Sequence, residues 1–175
     1  AENHPPDKFE TGTKNHEGLA GTTAAISYLA DIGARFGQGF TDNFPGLEGR
    51  RRLLKAALEA MRSYERVVFA RLMDGMKAIP GVIIYGITDQ ARFDQRVPTV
   101  AFRLEGYSPR EMAEQLGRAG IFVWDGNYYA LSVTELLGVE ESGGLVRIGI
   151  THYNTVEEVE RLLTVVNALA HQTLR

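Results

Sequence analysis

Residues 144–169 read GLVRIGITHYNTVEEVERLLTVVNAL. Leu145 to Tyr153 is a run of branched and aromatic residues broken by one charge, which predicts a β-strand. Thr155, with Glu157 and Glu158 behind it, caps a helix. Within that helix Val159, Leu162, Leu163, Val166 and Leu169 recur on one face. A strand followed by a helix with a single apolar stripe predicts a helix laid on a sheet, and so an α/β chain.

The pattern extends upstream. Val82 to Ile87, Val97 to Leu104 and Ile121 to Trp124 read as further strands. Ser108, Pro109 and Glu111 supply a cap, a proline at the first helical position and a capping-box glutamate for a helix reaching about Ala119. Ser132 with Glu135 offers another cap, for a short helix toward Leu137. Arg50 to Ala78 is a long helix, with Leu54, Leu58, Met61, Val68, Leu72 and Met76 on one side, stopped by Pro80 and Gly81. Before it, GQGFTDNFPGLEG (37–49) is a turn-rich linker. Glu17 to Phe36 is a helix small or apolar on most faces, which predicts burial on several sides. Residues 1–16, with Pro5, Pro6 and Gly12, read as an extended loop. The expected architecture is a small α/β sandwich, its sheet mixed or antiparallel, with helices on one side.

The chain has 175 residues, 44% of them hydrophobic and 23% charged, which is the composition of a globular protein. A net charge of −3 argues against a nucleic-acid surface. The run Arg50-Arg51-Arg52 reads as a solvated helix edge. With no cysteine, disulfides, thiolate metal sites and a cysteine nucleophile are excluded from this chain, and a cytoplasmic location is expected. No apolar run approaches the roughly 18 residues of a membrane span. Ala1 to Glu10 is polar and carries prolines, unlike a signal peptide. The chain also lacks an initiator methionine, and reads as though cut from something longer.

Three segments can carry chemistry. In FETGTKNH (9–16), Gly12 permits close backbone approach, and Thr13 supplies a hydroxyl just before a helix start, as phosphate sites do. A plain helix cap gives the same pattern. Arg147 lies in an otherwise apolar strand and needs a partner or a route to solvent; its planar fork matches a carboxylate, or a structural ion pair. WDGNYY (124–129) holds the only tryptophan and two tyrosines around a turn, and fits either a pocket lining or core packing. His4, His16, His152 and His171 have no metal-ligand spacing. No P-loop, GxGxxG or GxSxG occurs.

Two of these segments occur in an order that resembles a known family. FETGTKNHEGLAG (9–21) with AAISYL (24–29), and VRIGITHYNT (146–155) with Glu157 and Glu158, are similar to the corresponding motifs of class V aminotransferases and cysteine desulfurases, fold-type I enzymes that use pyridoxal 5'-phosphate (PLP). The resemblance runs from Phe9 to Leu169. It implies that residues 1–45 end the large, cofactor-binding domain, as a helical remnant. Residues 46–175 would then form the small C-terminal domain, including the bridging helix. Gly12 and Thr13 would reach the PLP phosphate of a neighbouring subunit in a homodimer. Arg147 would bind the α-carboxylate of a small amino-acid substrate.

The departures matter as much. The family's Schiff-base lysine lies upstream of the Gly-Thr pair in a Ser/His-Lys setting, which Lys8, Lys14, Lys55 and Lys77 do not have. No catalytic residue and no metal site is therefore expected in this chain, which alone should be inactive. Tyr129 stands where desulfurases carry the persulfide-forming cysteine, and a phenol cannot accept sulfane sulfur as a thiolate does. Gly149 replaces a common serine. The parent is expected to be an aminotransferase-like or lyase-like enzyme. The alternatives are a dimerisation or protein-interaction module, and a regulatory amino-acid-binding domain that uses Arg147 without PLP.

Overall fold

Strand alternation and helix capping set the elements of the computed structural model, which describes residues 3–5, 7–9 and 12–173. Glu10 and Thr11 of the first motif, and Pro6, lie outside the described residues. The chain forms two compact units, Ala1–Met61 and Arg62–Arg175.

The first unit holds a short 3-10 turn at Asp7–Phe9, helix α1 (His16–Phe36), a 3-10 segment at Gln38–Asn43 and the start of helix α2 (Gly49–Ala78). Asn15 begins α1 by accepting a hydrogen bond from the Gly18 amide at 2.7 Å, which satisfies one of the free donors of the first turn. Glycine makes the α1–α2 crossing possible, because it brings no side chain to the contact. A Cβ on Gly33 would strike the Leu53 carbonyl, and one on Gly37 would come within 2.8 Å of the Ala56 methyl. Arg52 donates to the Thr41 carbonyl at 3.1 Å and closes the linker onto α2. The expected burial of α1 on several sides is not found. Ile32 and Gly33 are its buried residues, whereas Leu19, Tyr28 and Phe36 are exposed.

The second unit contains β1 (Val82–Tyr85), a 3-10 segment at Gln90–Gln95, β2 (Thr99–Leu104), α3 (Pro109–Arg118), β3 (Trp124–Gly126), α4 (Leu131–Leu136), β4 (Leu145–Gly149) and α5 (Val156–Thr173). The four strands form one antiparallel sheet in the order β1-β2-β4-β3. Period-two alternation sorts its faces. Val100, Phe102, Val146 and Ile148 point inward and join Leu72 and Met76 of α2, Met112 and Leu116 of α3, and Leu162 and Val166 of α5. Each fully buried large side chain contributes about 1.5–3 kcal/mol, so this one cluster accounts for the sheet's single covered face. Gly75 lets α2 and α5 touch, since a Cβ there would run into the Leu163 side chain.

Caps and loops fix the ends. Ser108 and Glu111 make a reciprocal capping box on α3, and the serine's bonds hold the Glu111 carboxyl below its ordinary range. Thr155 and Glu158 do the same for α5, with the Thr155 amide donating to Glu158 at 2.9 Å and the Glu158 amide to Thr155 at 3.3 Å. The Arg96 guanidinium donates to the carbonyls of Ile87 and Thr99 and lies 4.6 Å from the Phe69 ring, tying the β1–β2 connection to α2.

Candidate functional site

Pairing of the strands builds a row across the uncovered face. Tyr85 stands opposite Ala101, Ala101 opposite Arg147, and Arg147 opposite Trp124. Residues paired this way share a face, so the row crosses all four strands. Arg147 thereby reaches solvent, whereas its neighbours Val146 and Ile148 are buried. This resolves the arginine's two options, partner or solvent, in favour of solvent.

Two rings flank the guanidinium. Its central carbon lies 5.0 Å from the Tyr128 ring and 5.7 Å from the Trp124 ring. Among the described residues it makes no hydrogen bond or ion pair. Asp125, the carboxylate next to Trp124 in the chain, alternates to the other side of the strand. There it sits 3.7 Å from Arg110 of α3. A cleft lined by Thr99, Phe122, Val123, Trp124, Arg147 and Gly149 opens beside the fork. A planar cation with uncommitted N–H groups in a cleft of mainly apolar walls can take a carboxylate in two parallel hydrogen bonds.

The loop from Gly126 to Ala130 is strained. Tyr128 has φ 53° and Tyr129 has φ 62°. This is the left-handed region, in which a bulky L-residue costs about 1–3 kcal/mol. Neighbours overrule that preference. Gly126 and Gly144 touch so closely that a Cβ on Gly144 would hit the Gly126 carbonyl. Asn127 donates to Glu140 at 3.0 Å and accepts from the Tyr129 amide at 3.1 Å. The other Glu140 oxygen accepts from the buried Thr134 hydroxyl. Tyr128 is half-buried and its hydroxyl is enclosed without a hydrogen-bond partner. Burial raises the phenol's pKa, and the nearby positive Arg147 only partly opposes this. Tyr129, by contrast, is 94% exposed.

Arg147 and the aromatic loop, two separate candidates in the sequence, thus adjoin in one candidate site. The link between them was hidden because strand register, not spacing, pairs Trp124 with Arg147. Gly12 and Thr13 belong to the first unit; both are exposed, in the bend before Asn15. A second cluster had no sequence signal. Glu65 of α2 sits 3.9 Å from His152, and the Tyr64 hydroxyl donates to the Asn154 carbonyl at 2.7 Å, so α2 grips the β4–α5 turn. No group of three His, Cys, Asp or Glu among the described residues could hold a metal ion, and none of the described helices is long and apolar enough to cross a membrane.

Known proteins resemble this chain in sequence and in fold. The family model described as "Aminotransferase class-V" matches residues 41–162, more than half of the chain. A cysteine desulfurase of Klebsiella pneumoniae is 27% identical over 161 residues, covering 92% of this chain and 32% of that protein. The apo structure of a cysteine desulfurase from Thermococcus onnurineus NA1 is 28% identical with a TM-score of 0.62, covering 70% of this chain and 29% of that one. The desulfurase CsdA of Escherichia coli shares the fold, at 24% identity and a TM-score of 0.69, over 95% of this chain and 33% of that one. The chain spans about a third of the length of the curated relatives it matches.

These families depend on PLP, and the residues present fit that group only in part. Thr13 is exposed, but an added Cβ on Gly12 would meet nothing within 4 Å, so among the described residues no cradle closes around it. No lysine lines the Arg147 cleft. Lys55 and Lys77 lie exposed on α2. The α/β fold with its small antiparallel sheet and the family match lead to one assignment: the chain belongs to the class V aminotransferase family, within its cysteine desulfurase-like relatives.

Proposed function

We propose that the chain is the substrate-carboxylate-binding C-terminal part of a PLP-dependent, aminotransferase-like or lyase-like enzyme that acts on a small amino acid. The observation that carries this reading is Arg147, exposed on the open sheet face between two aromatic rings with its N–H groups uncommitted. Its fork receives the α-carboxylate and so sets the position of the α-carbon. Gly12 and Thr13 contact phosphate, as donors at the entrance to α1, across a homodimer interface. PLP, when bound, supplies an electron sink for chemistry at the amino acid's α-carbon. The Schiff-base lysine comes from outside this chain, which is inactive alone. Tyr129 stands where the desulfurases carry the persulfide-forming cysteine, and a phenol cannot accept sulfane sulfur as a thiolate does, so the reading favours a reaction other than cysteine-persulfide desulfuration.

The test is spectroscopic. A protein that joins this chain to its lysine-bearing domain should show the absorbance of lysine-bound PLP, and that band should move on adding an amino acid. Arg147→Ala should leave the band and abolish the movement at moderate amino-acid concentration. An amino-acid response unaffected by Arg147→Ala would refute the assignment.

One observation favours a second reading, a dimerisation or protein-interaction module. Helix α1 exposes Leu19, Tyr28 and Phe36, more apolar surface than a solvated helix needs. Light scattering on the isolated chain separates the two readings: a stable dimer favours the module, and a monomer at all concentrations removes it.

A further inference from the structure

We propose that Tyr128 is a positioning residue for Arg147: with Trp124 it forms an aromatic seat that holds the guanidinium on the open face while leaving every N–H free for a ligand. The inference rests on the reading of Arg147 as a carboxylate anchor, but it makes a separate claim about how the fork is held.

An arginine side chain has several rotatable bonds and loses binding energy whenever it must be ordered at the moment of binding. A carboxylate partner would order it, but would also occupy the donors that the ligand needs. Aromatic faces hold the charge through the ring quadrupole instead and consume no donor. The site has this composition: rings at 5.0 and 5.7 Å, and the adjacent Asp125 turned away to Arg110. The seat also explains two features with no other use. Tyr128 is kept in the left-handed region, where glycine would sit without strain, because glycine has no ring to offer. Its hydroxyl is enclosed without a partner, so the ring face and not the phenol oxygen is the retained group. The Asn127–Glu140–Thr134 bonds supply the rigidity that keeps the loop in this shape.

Two measurements on the isolated chain test this. The first is the NMR order parameter of the Arg147 Nε–H. It should match rigid backbone, about 0.85, in the unmodified protein and in Tyr128→Phe, and fall below about 0.6 in Tyr128→Leu. The second is a titration with sodium acetate followed by emission of Trp124, the sole tryptophan. Tyr128→Leu should weaken binding about fivefold, and Tyr128→Phe should restore it.

A mobile Arg147 side chain in the folded, unmodified protein would overturn the proposal, whether or not Tyr128→Leu folds. So would an unchanged order parameter and acetate affinity in Tyr128→Leu. Failure of acetate to perturb Trp124 in both the unmodified protein and Arg147→Ala would remove the carboxylate reading instead. The Nε order parameters would still decide the role of Tyr128.

Discussion

Trp124 stands directly across the β3–β4 ladder from Arg147, and its ring lies 5.7 Å from the guanidinium carbon. Being the only tryptophan, it reports on the proposed site without a label. Replacing Arg147 with alanine uncovers one side of the indole. Acrylamide should then quench Trp124 more strongly than in the unmodified protein, with the far-ultraviolet circular dichroism unchanged.

Tyr129 is strained but makes little use of its side chain. With φ 62° and 94% exposure, it accepts a left-handed backbone and buries almost nothing in return. Tyr129→Gly removes the Cβ clash, which is larger than the added entropy of the unfolded glycine. Urea unfolding should show a gain of about 0.5 kcal/mol. A loss of stability would show that the Tyr129 ring is held by contacts within this chain.

Glu65 gives a pH signature. Burial raises its carboxyl above the ordinary range, and His152 offsets this only in part. A carboxyl with a raised folded pKa binds its proton more tightly in the folded state. It therefore destabilises the fold as pH rises through and beyond that window, and the cost vanishes below the unfolded value near 4.5. Glu65→Gln keeps an acceptor for the His152 backbone. Its thermal midpoint should exceed that of the unmodified protein at pH 7 and converge with it near pH 4.

Gly75 tests the α2–α5 crossing. A methyl there collides with Leu163, so Gly75→Ala should cost about 1–3 kcal/mol by overpacking. Leu163→Ala alone leaves a cavity and costs about 2–5 kcal/mol. Combined, the two should lose less than their sum in denaturant unfolding, because the new methyl occupies part of the space that leucine vacates.

Much of this fold was legible in the sequence. The helices at 49–78, 109–118 and 156–173 follow from apolar spacing and from the Ser108 and Thr155 caps, because those signals are local. What depends on a neighbour was not. A strand is expected at Ile121 to Trp124, yet β3 begins at Trp124: Ile121 and Val123 pack on the core, and ladder pairing starts where Trp124 meets Arg147. The last strand is expected to reach Tyr153 but stops at Gly149, because the Asn154 side chain accepts from the Thr151 amide at 2.9 Å and folds the chain into a turn. Ser132 is expected to cap α4, but Ala130 holds that position and no side chain caps it. Arg147 stood out as a candidate by residue type, but that Trp124 and Tyr128 flank it depended on the register and the loop.

Whether Arg147 receives a carboxylate is decided by titrating the isolated chain with acetate and with L-alanine, followed by Trp124 emission and compared with Arg147→Lys and Arg147→Ala. Both ligands should bind saturably, about tenfold more weakly with lysine, which keeps the charge but loses the planar fork, and not at all with alanine. Equal affinity in all three proteins would show that the arginine fork does not hold the carboxylate.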